Sequence, residues 1–374
     1  MQKVQKVQKV QKVIVNGFIA RPDDLKSYFK YPASRPDFGL LKNIVPYNRL
    51  EAMSSTRLTV MKKVFSKMLN LLSPHERRFL DELLHKGFLE HTNLRDTEHL
   101  YSYWERQIDF WDQMSSPIRP SKGDYEIYQD YLGQKKGIER VLILGSTPEL
   151  RDLVAKLSKT KIYVADFSHQ MLSGMLKFTR HADPVREIWI KDDWLSLFLP
   201  ERSFDVIIGD LVLQQISPEN ERAFLKKVNS LLKKDGIFMS RFHFISERFR
   251  NKTIEEIVKE VEAKQRSSNE KLTLIRLWVW ERFSDPTNRK MDRCLAAREY
   301  TEFIKRTKAP DEVIKRVGQT LSRWENAPYN WSPPTEKQLV DGLSDYFTIV
   351  DRKVATDHED AIYYPIFNLS PKIK

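Results

Sequence analysis

The stretch Val141-Leu142-Ile143-Leu144-Gly145 is apolar at four consecutive positions and stops on a glycine. An apolar run without polar alternation suits a strand covered on both faces, as in a parallel sheet flanked by helices. The glycine suits a sharp turn out of the strand, where a side chain would be strained. Outward from this strand (139–144), comparable runs recur at 161–165, 186–190, 204–209 and 235–242, and helices fit 149–158, 169–180 and 219–233 between them. Short apolar runs alternating with helical stretches are the pattern of βαβ units. Two further runs, 346–354 and 361–368, flank the polar turn Thr356-Asp357-His358-Glu359-Asp360 and read as a closing hairpin. The predicted fold is α/β: a doubly wound, mainly parallel seven-stranded sheet with a C-terminal antiparallel hairpin.

The rest of the chain is helical in pattern. Residues 2–13 are four copies of Gln-Lys-Val, a period of three that fits neither the 3.6 of a helix nor the 2.0 of a strand, so 1–17 is expected to be a disordered tail. A helical N-terminal region, 18–130, is expected to serve as a lid. Ser73-Pro74-His75-Glu76 carries a helix-start signature within it, and a second helical stretch, 96–114, includes Tyr101, Trp104, Ile108, Phe110 and Trp111. The core is assigned to 131–245. A helical insertion follows at 246–334, with candidate helices at 253–266, 270–283, 288–306 and 310–324 and an aromatic cluster of Trp324, Tyr329 and Trp331. Residues 335–374 hold the last helix, opened by the capping box Thr335-Glu336-Lys337-Gln338, and the hairpin that completes the sheet.

Composition narrows the class. Of the residues, 41% are hydrophobic and 30% charged, a globular balance, and 63 Lys and Arg against 51 Asp and Glu give a net charge of +12. Four of the excess charges, Lys3, Lys6, Lys9 and Lys12, belong to the repeat, and the rest form no dense run, so nucleic-acid binding is not favoured. The sole cysteine, Cys294, excludes an intramolecular disulfide and a cysteine-based zinc site, and no metal is expected. There is no apolar run of membrane-spanning length and no basic-then-apolar leader, so a cytoplasmic protein without a membrane partner is expected.

In a doubly wound sheet, ligands settle beyond the carboxyl ends of the strands, where the winding reverses. The residues there are Gly145-Ser146-Thr147-Pro148-Glu149, Asp166-Phe167-Ser168, Asp192-Asp193-Trp194 and Asp210-Leu211-Val212-Leu213-Gln214. Asp166 stands 21 positions after Gly145, where a carboxylate can accept from both ribose hydroxyls of either a dinucleotide or S-adenosylmethionine. Asp193 can accept from an adenine amino group, with Trp194 covering the ring. Glu149 near the helix N-terminus counts against a pyrophosphate.

Over 138–242 the sequence resembles the class I S-adenosylmethionine-dependent methyltransferases. The matching pieces are Val141 to Gly145 for the first motif, Asp166-Phe167-Ser168-His169-Gln170-Met171-Leu172 for the second, and Phe204-Asp205-Val206-Ile207-Ile208-Gly209-Asp210 for the fourth. Leu231 to Phe238 matches the family's last crossover turn and fifth strand. The first motif is degenerate: Ile143 replaces the usual acidic residue, and Thr147 and Glu149 replace the second and third glycines. The resemblance implies a cofactor site of Gly145, Ser146, Thr147, Glu149, Asp166, Phe167, Asp192, Asp193, Trp194 and Asp210 for S-adenosyl-L-methionine. Arg119, ahead of the first strand, is expected to reach the cofactor's carboxylate, and Tyr103, Trp104, Tyr125 and Tyr128 could present an aromatic face to the sulfonium.

The acceptor is narrowed by what is missing. Neither the Asn/Asp-Pro-Pro-aromatic turn of exocyclic amine methylation nor a nucleophilic cysteine after the fourth strand is present. The pattern looks like the small-molecule O- and N-methyltransferases of the family, acting on a metabolite or natural product inside a closed, aromatic-lined site. His243, just after the fifth strand, is the expected base, with Tyr125 and Tyr128 as alternatives, while His358 in the hairpin turn is expected to be exposed. An RNA or protein methyltransferase and a non-catalytic binding protein of the same fold are the competing readings.

Overall fold

The computed structural model describes residues 106–373, apart from 308, 309, 326, 328 and 329. The Gln-Lys-Val repeat, the helix start at Ser73, Tyr101, Tyr103, Trp104 and Tyr329 lie outside the described residues. β1 (Arg140–Leu144), β2 (Lys161–Asp166), β3 (Glu187–Lys191), β4 (Phe204–Asp210) and β5 (Leu232–Arg241) are all parallel. They alternate with α1 (Lys122–Gln134), which precedes β1, and with α2 (Pro148–Ala155), α3 (His169–Gly174) and α4 (Glu221–Leu231).

After β5 the insertion supplies α5 (Ile254–Glu262), α6 (Ser268–Arg282), the two-residue strands β6 (Ser284–Asp285) and β7 (Lys290–Met291), α7 (Arg293–Arg306) and α8 (Glu312–Trp324). The chain then returns through α9 (Glu336–Ser344), β8 (Phe347–Lys353) and β9 (Ile366–Pro371). The sheet order is β3-β2-β1-β4-β5-β9-β8, with β9 antiparallel to both neighbours. The winding reverses between β1 and β4, so the crevice lies at their carboxyl ends.

The unbroken apolar runs are explained by burial on both faces. Val141 and Ile143 pack with Tyr128, Tyr131, Leu150, Leu153 and Val154 from α1 and α2. Leu142 and Leu144 pack with Phe224, Leu225, Val228, Leu339 and Leu343 from α4 and α9. Each such side chain, moved fully out of water, contributes about 1.5–3 kcal/mol. A third apolar cluster belongs to the insertion alone: Ile257, Val261, Trp278, Val279, Ala297, Tyr300, Val317 and Leu321 bring α5 to α8 together.

Several boundaries differ from expectation. Where the stretch 96–114 reads as one helix, the described part is two short 3-10 turns, Arg106–Asp109 and Trp111–Gln113. The helix expected over 169–180 tightens to 3-10 geometry after Gly174, a weak helix former, at the point where Ile108 packs so closely that a Cβ would lie 2.6 Å from it. α7 starts at Arg293 and not near 288, because Lys290–Met291 pair with Ser284–Asp285 and Asp292 caps the helix through Leu295 N–H. The last strand begins at Ile366 after a 3-10 turn at Ala361–Tyr363. Among the described residues, no helix is long and apolar enough to cross a membrane.

Candidate active site

Gly145 closes β1 with φ +85°, a backbone conformation that favours glycine, and its N–H donates to Ala165 O at 2.8 Å. That turn places Ser146 beside the end of β2, where its hydroxyl donates to Asp166 Oδ2 at 2.8 Å, while Ser168 N–H donates to Oδ1 at 3.0 Å. Asp166 is only 4% exposed, and burial pushes its carboxyl up to about 6 although both donors favour the ionised form. The third loop is internally braced: Asp192 Oδ1 accepts from Asp193 N–H and Ser196 Oγ, and Asp193 Oδ1 accepts from Leu195 N–H. Trp194 donates its indole N–H to Ala165 O at 2.9 Å and lies next to Gly145.

Gly145, Ser146, Thr147, Asp166, Phe167, Asp192, Asp193, Trp194 and Asp210 all line one cavity of about 590 Å³. Arg119 and Glu149 do not. Arg119 Nε donates to Glu149 Oε1 at 2.9 Å, its Nη2 makes a second contact with the same oxygen, and Nη1 donates to Trp111 O. The two sequence-nominated charges therefore neutralise each other in place of reaching toward a ligand.

Asp210 is held from behind. Arg241 donates to both of its oxygens, at 2.8 and 3.0 Å, and through Nη1 to Asp124 Oδ2 at 2.7 Å. One guanidinium thus serves two buried carboxylates. Burial pushes Asp210 up to about 6, against the pull of Arg241 and with the charge of Asp124 added. For Asp124 burial is outweighed by Arg241, His358 and the Ser121 N–H, which hold it down at about 2. His358 is not the exposed turn residue expected: its side chain is 11% exposed and lies 3.6 Å from Asp124 Oδ2, tucked against the same network.

Tyr128 and Tyr125 are corrected as base candidates, since neither lines the cavity. Tyr128 is fully buried; its hydroxyl donates to Gly209 O and accepts from Arg241 N–H, both at 2.7 Å, and bridges β4 to β5. Tyr125 packs beneath Lys156, whose ammonium lies 5.1 Å from the ring. His243 does line the cavity, with Nε2 3.3 Å from Glu281 Oε1 and its ring stacked 4.2 Å from that of Tyr364. Burial pushes the Glu281 carboxyl up, with His243 opposing.

The far wall of the cavity is made by the insertion and by the segment before α1. Arg276, Leu277, Trp280 and Glu281 fall at i, i+1, i+4 and i+5 of α6 and share one face, and Trp324 and Trp331 join them. Trp111, Met114 and Ile118 come from the other side, where Ser115 N–H donates to Thr273 Oγ1 of α6 at 3.2 Å. Five buried polar atoms on residues lining this cavity have no hydrogen-bond partner: Trp111 Nε1, Gln214 Oε1, Arg276 Nε, Glu281 Oε2 and Tyr364 Oη. Buried polar groups are paired in native proteins with few exceptions, so a set of unpaired atoms on residues of one cavity calls for partners that the described fold does not supply. Sequence reasoning missed Arg276, Glu281 and Tyr364. The available signal was Leu272-Thr273-Leu274-Ile275-Arg276-Leu277-Trp278-Val279-Trp280-Glu281, a helix apolar on nearly every side that nevertheless carries two charges.

Backbone strain gathers at the same place. Leu211 and Arg289, with φ of +53° and +58°, both line the cavity; Arg202 is the third non-glycine residue in that region among the described residues.

Residues 144–236, about a quarter of the chain, match a family model described as a methyltransferase domain. No curated protein matches the sequence. Solved structures similar to it include a Rhodobacter sphaeroides protein provisionally described as a Zn-dependent alcohol dehydrogenase (17% identity, 74% of this chain and 100% of that one, TM-score 0.47). The N-methyltransferase NodS of Bradyrhizobium japonicum, in complex with S-adenosylhomocysteine, is 13% identical over 73% of this chain and 99% of its own, with TM-score 0.41. The 1,6-didemethyltoxoflavin-N1-methyltransferase of Burkholderia thailandensis is 14% identical over 81% and 92%, with TM-score 0.40. At this level of likeness none of the three bears on the acceptor. The family match falls on the segment that carries the motifs and the β1–β4 crevice: residues 144–236 are a methyltransferase domain within a Rossmann-like sheet.

Proposed function

We propose that the chain transfers a methyl group from S-adenosylmethionine to an oxygen or nitrogen atom of a small molecule enclosed between the sheet and the helical insertion. The observation that carries this is the set of five unpartnered polar atoms converging on the cavity's lining. Its volume, about 590 Å³, is in the range of small-molecule sites, roughly 300–1,000 Å³.

Asp166 would accept from the ribose hydroxyls, with Phe167, Asp193 and Trp194 about the adenine. Asp210, whose single guanidinium is shared with Asp124, offers surplus negative charge for the methionine ammonium. Gly145 to Thr147 supply the backbone approach along the methionine. When bound, the cofactor supplies an electrophilic methyl group on its sulfonium. The chain's own part is then to hold the acceptor in line, to exclude water, and to take the acceptor's proton where there is one. His243 suits the role of proton acceptor, because Glu281 beside Nε2 can fix the tautomer and leave the other ring nitrogen free to accept.

Calorimetry with S-adenosylhomocysteine tests the cofactor half; absence of binding by the full chain would sink the enzyme reading. The acceptor half is tested by incubating the protein and methyl-labelled S-adenosylmethionine with a metabolite extract, total RNA and denatured protein in parallel. Label is expected in the small-molecule fraction, and label confined to RNA or protein overturns the proposal.

A further inference from the structure

Among the arginines that line the cavity, Arg276 has neither the ion pair of Arg289 nor the two ring contacts of Arg293. Arg289 is paired with Glu221 and donates to Ser332 O at 2.9 Å. Arg293 lies over the rings of Trp280 and Trp324 at 5.9 and 5.8 Å. Arg276 is 6% exposed, its Nε has no hydrogen-bond partner, and among the described residues no carboxylate lies within ion-pair distance of it. Its guanidinium carbon lies over the face of Trp280, 5.2 Å from the ring centroid.

A guanidinium cannot escape this burial by giving up its proton. Burial pushes it down to about 10, so it remains a cation at neutral pH. Burying an ion without a counter-charge costs more than a single cation–π contact returns. Nothing described in the fold offsets the difference. Tyr364 lines the same cavity, and its hydroxyl is itself buried without a partner. Two donors on one cavity, one a planar fork and one a phenol, suit the oxygens of an oxyanion. Trp280, Trp324 and Trp331 beside them suit a flat ring.

Resting on the methyl-transfer reading above, we infer that the acceptor is an aromatic or otherwise planar small molecule bearing an oxyanion, a carboxylate or a phosphate ester, which Arg276 and Tyr364 clamp within the cavity. With Tyr364 stacked on His243, the clamp would hold the oxyanion on that side of the cavity and leave the acceptor's nucleophilic atom toward the crevice.

The test uses the full chain saturated with S-adenosylhomocysteine and three probes of similar size: benzoate, phenyl phosphate and benzamide. Titration calorimetry is expected to give at least one anion binding about tenfold or more tighter than benzamide, and which anion it is assigns the headgroup. In Arg276→Met the preference should fall to within about twofold, and Arg276→Lys should recover only part of it. Equal binding of anions and amide, no binding of either anion, or a preference that survives in Arg276→Met overturns the inference. If Arg276→Met does not fold, the wild-type ratio of anion to amide still decides. Loss of S-adenosylhomocysteine binding alongside an intact anion preference would remove the cofactor reading and leave the anion clamp standing.

Discussion

The two walls of the cavity handle their polar groups in opposite ways. On the sheet side every carboxylate is already braced: Asp166 by Ser146 and Ser168, Asp192 and Asp193 by the turn they close, Asp210 by both forks of Arg241. On the opposite side Arg276 and Glu281 of α6 and Tyr364 of the loop before β9 each keep a buried polar atom without a partner. A braced group is already fixed in its geometry and needs no ligand to complete it; an orphaned one costs about 1–3 kcal/mol until a ligand arrives. On the proposed function, the sheet side would be a preorganised floor for a constant cofactor, and the opposite side would hold its chemistry open for an acceptor.

The largest effect that sharpens this contrast is on turnover. His243→Phe is expected to lower kcat by about 10²–10⁴ for an acceptor that must lose a proton, with S-adenosylhomocysteine affinity changed less than about twofold. A matching loss of cofactor affinity would show that the walls do not act separately. The converse variant is Asp166→Ala, which removes charge-assisted bonds of about 1.5–3 kcal/mol each and should weaken S-adenosylhomocysteine by roughly 100-fold or more in calorimetry. Unchanged affinity would remove Asp166 from the ribose site.

The same carboxyl gives a pH signature. Its value of about 6 in the folded chain exceeds its ordinary 3.8, so its favourable contribution to stability is whole below pH 3.8 and is lost as pH rises through 6. At pH 8 the buried carboxylate costs on the order of 3 kcal/mol, which Asp166→Asn should recover as a raised Tm relative to the native chain. Cofactor affinity runs the other way, because the ionised form accepts from hydroxyls more strongly and with both oxygens: it should fall as pH drops below about 6 and become flat in Asp166→Asn. A variant that neither stabilises the chain at pH 8 nor flattens the profile would contradict burial as the cause. The smallest effect is at Leu211, where glycine would relieve a left-handed backbone worth about 1–2 kcal/mol and raise Tm by a few degrees at most.

The difference between the walls also decided what could be read in advance. That Asp166 and Asp193 would face one cavity was legible because a doubly wound sheet fixes where its loops converge, so position after a strand is itself information. Arg119 and Glu149 had equally suggestive positions, yet they meet each other, and only the packing of the segment before α1 against α2 decides that. Tyr128 carried a plausible hydroxyl that the fold uses to bridge Gly209 to Arg241. His358 looked exposed in a polar turn, and the network at Asp124 draws it in.

By itself the sequence determined the raw material of the sheet: unbroken apolar runs that must be covered on both faces, a glycine where β1 must turn, and the motif order of a methyltransferase core. It also determined capping boxes such as Thr335 with Gln338, both halves of which form. Those properties are local, set by backbone sterics and by the period of apolar residues. Only the tertiary structure decided the wall opposite the sheet. Arg276 and Tyr364 stand 88 positions apart, on α6 and on the loop before β9, and no periodicity links them. Their juxtaposition, and the cost of leaving a guanidinium dry without a carboxylate, exist only once the insertion has folded back over the ends of β1 and β4.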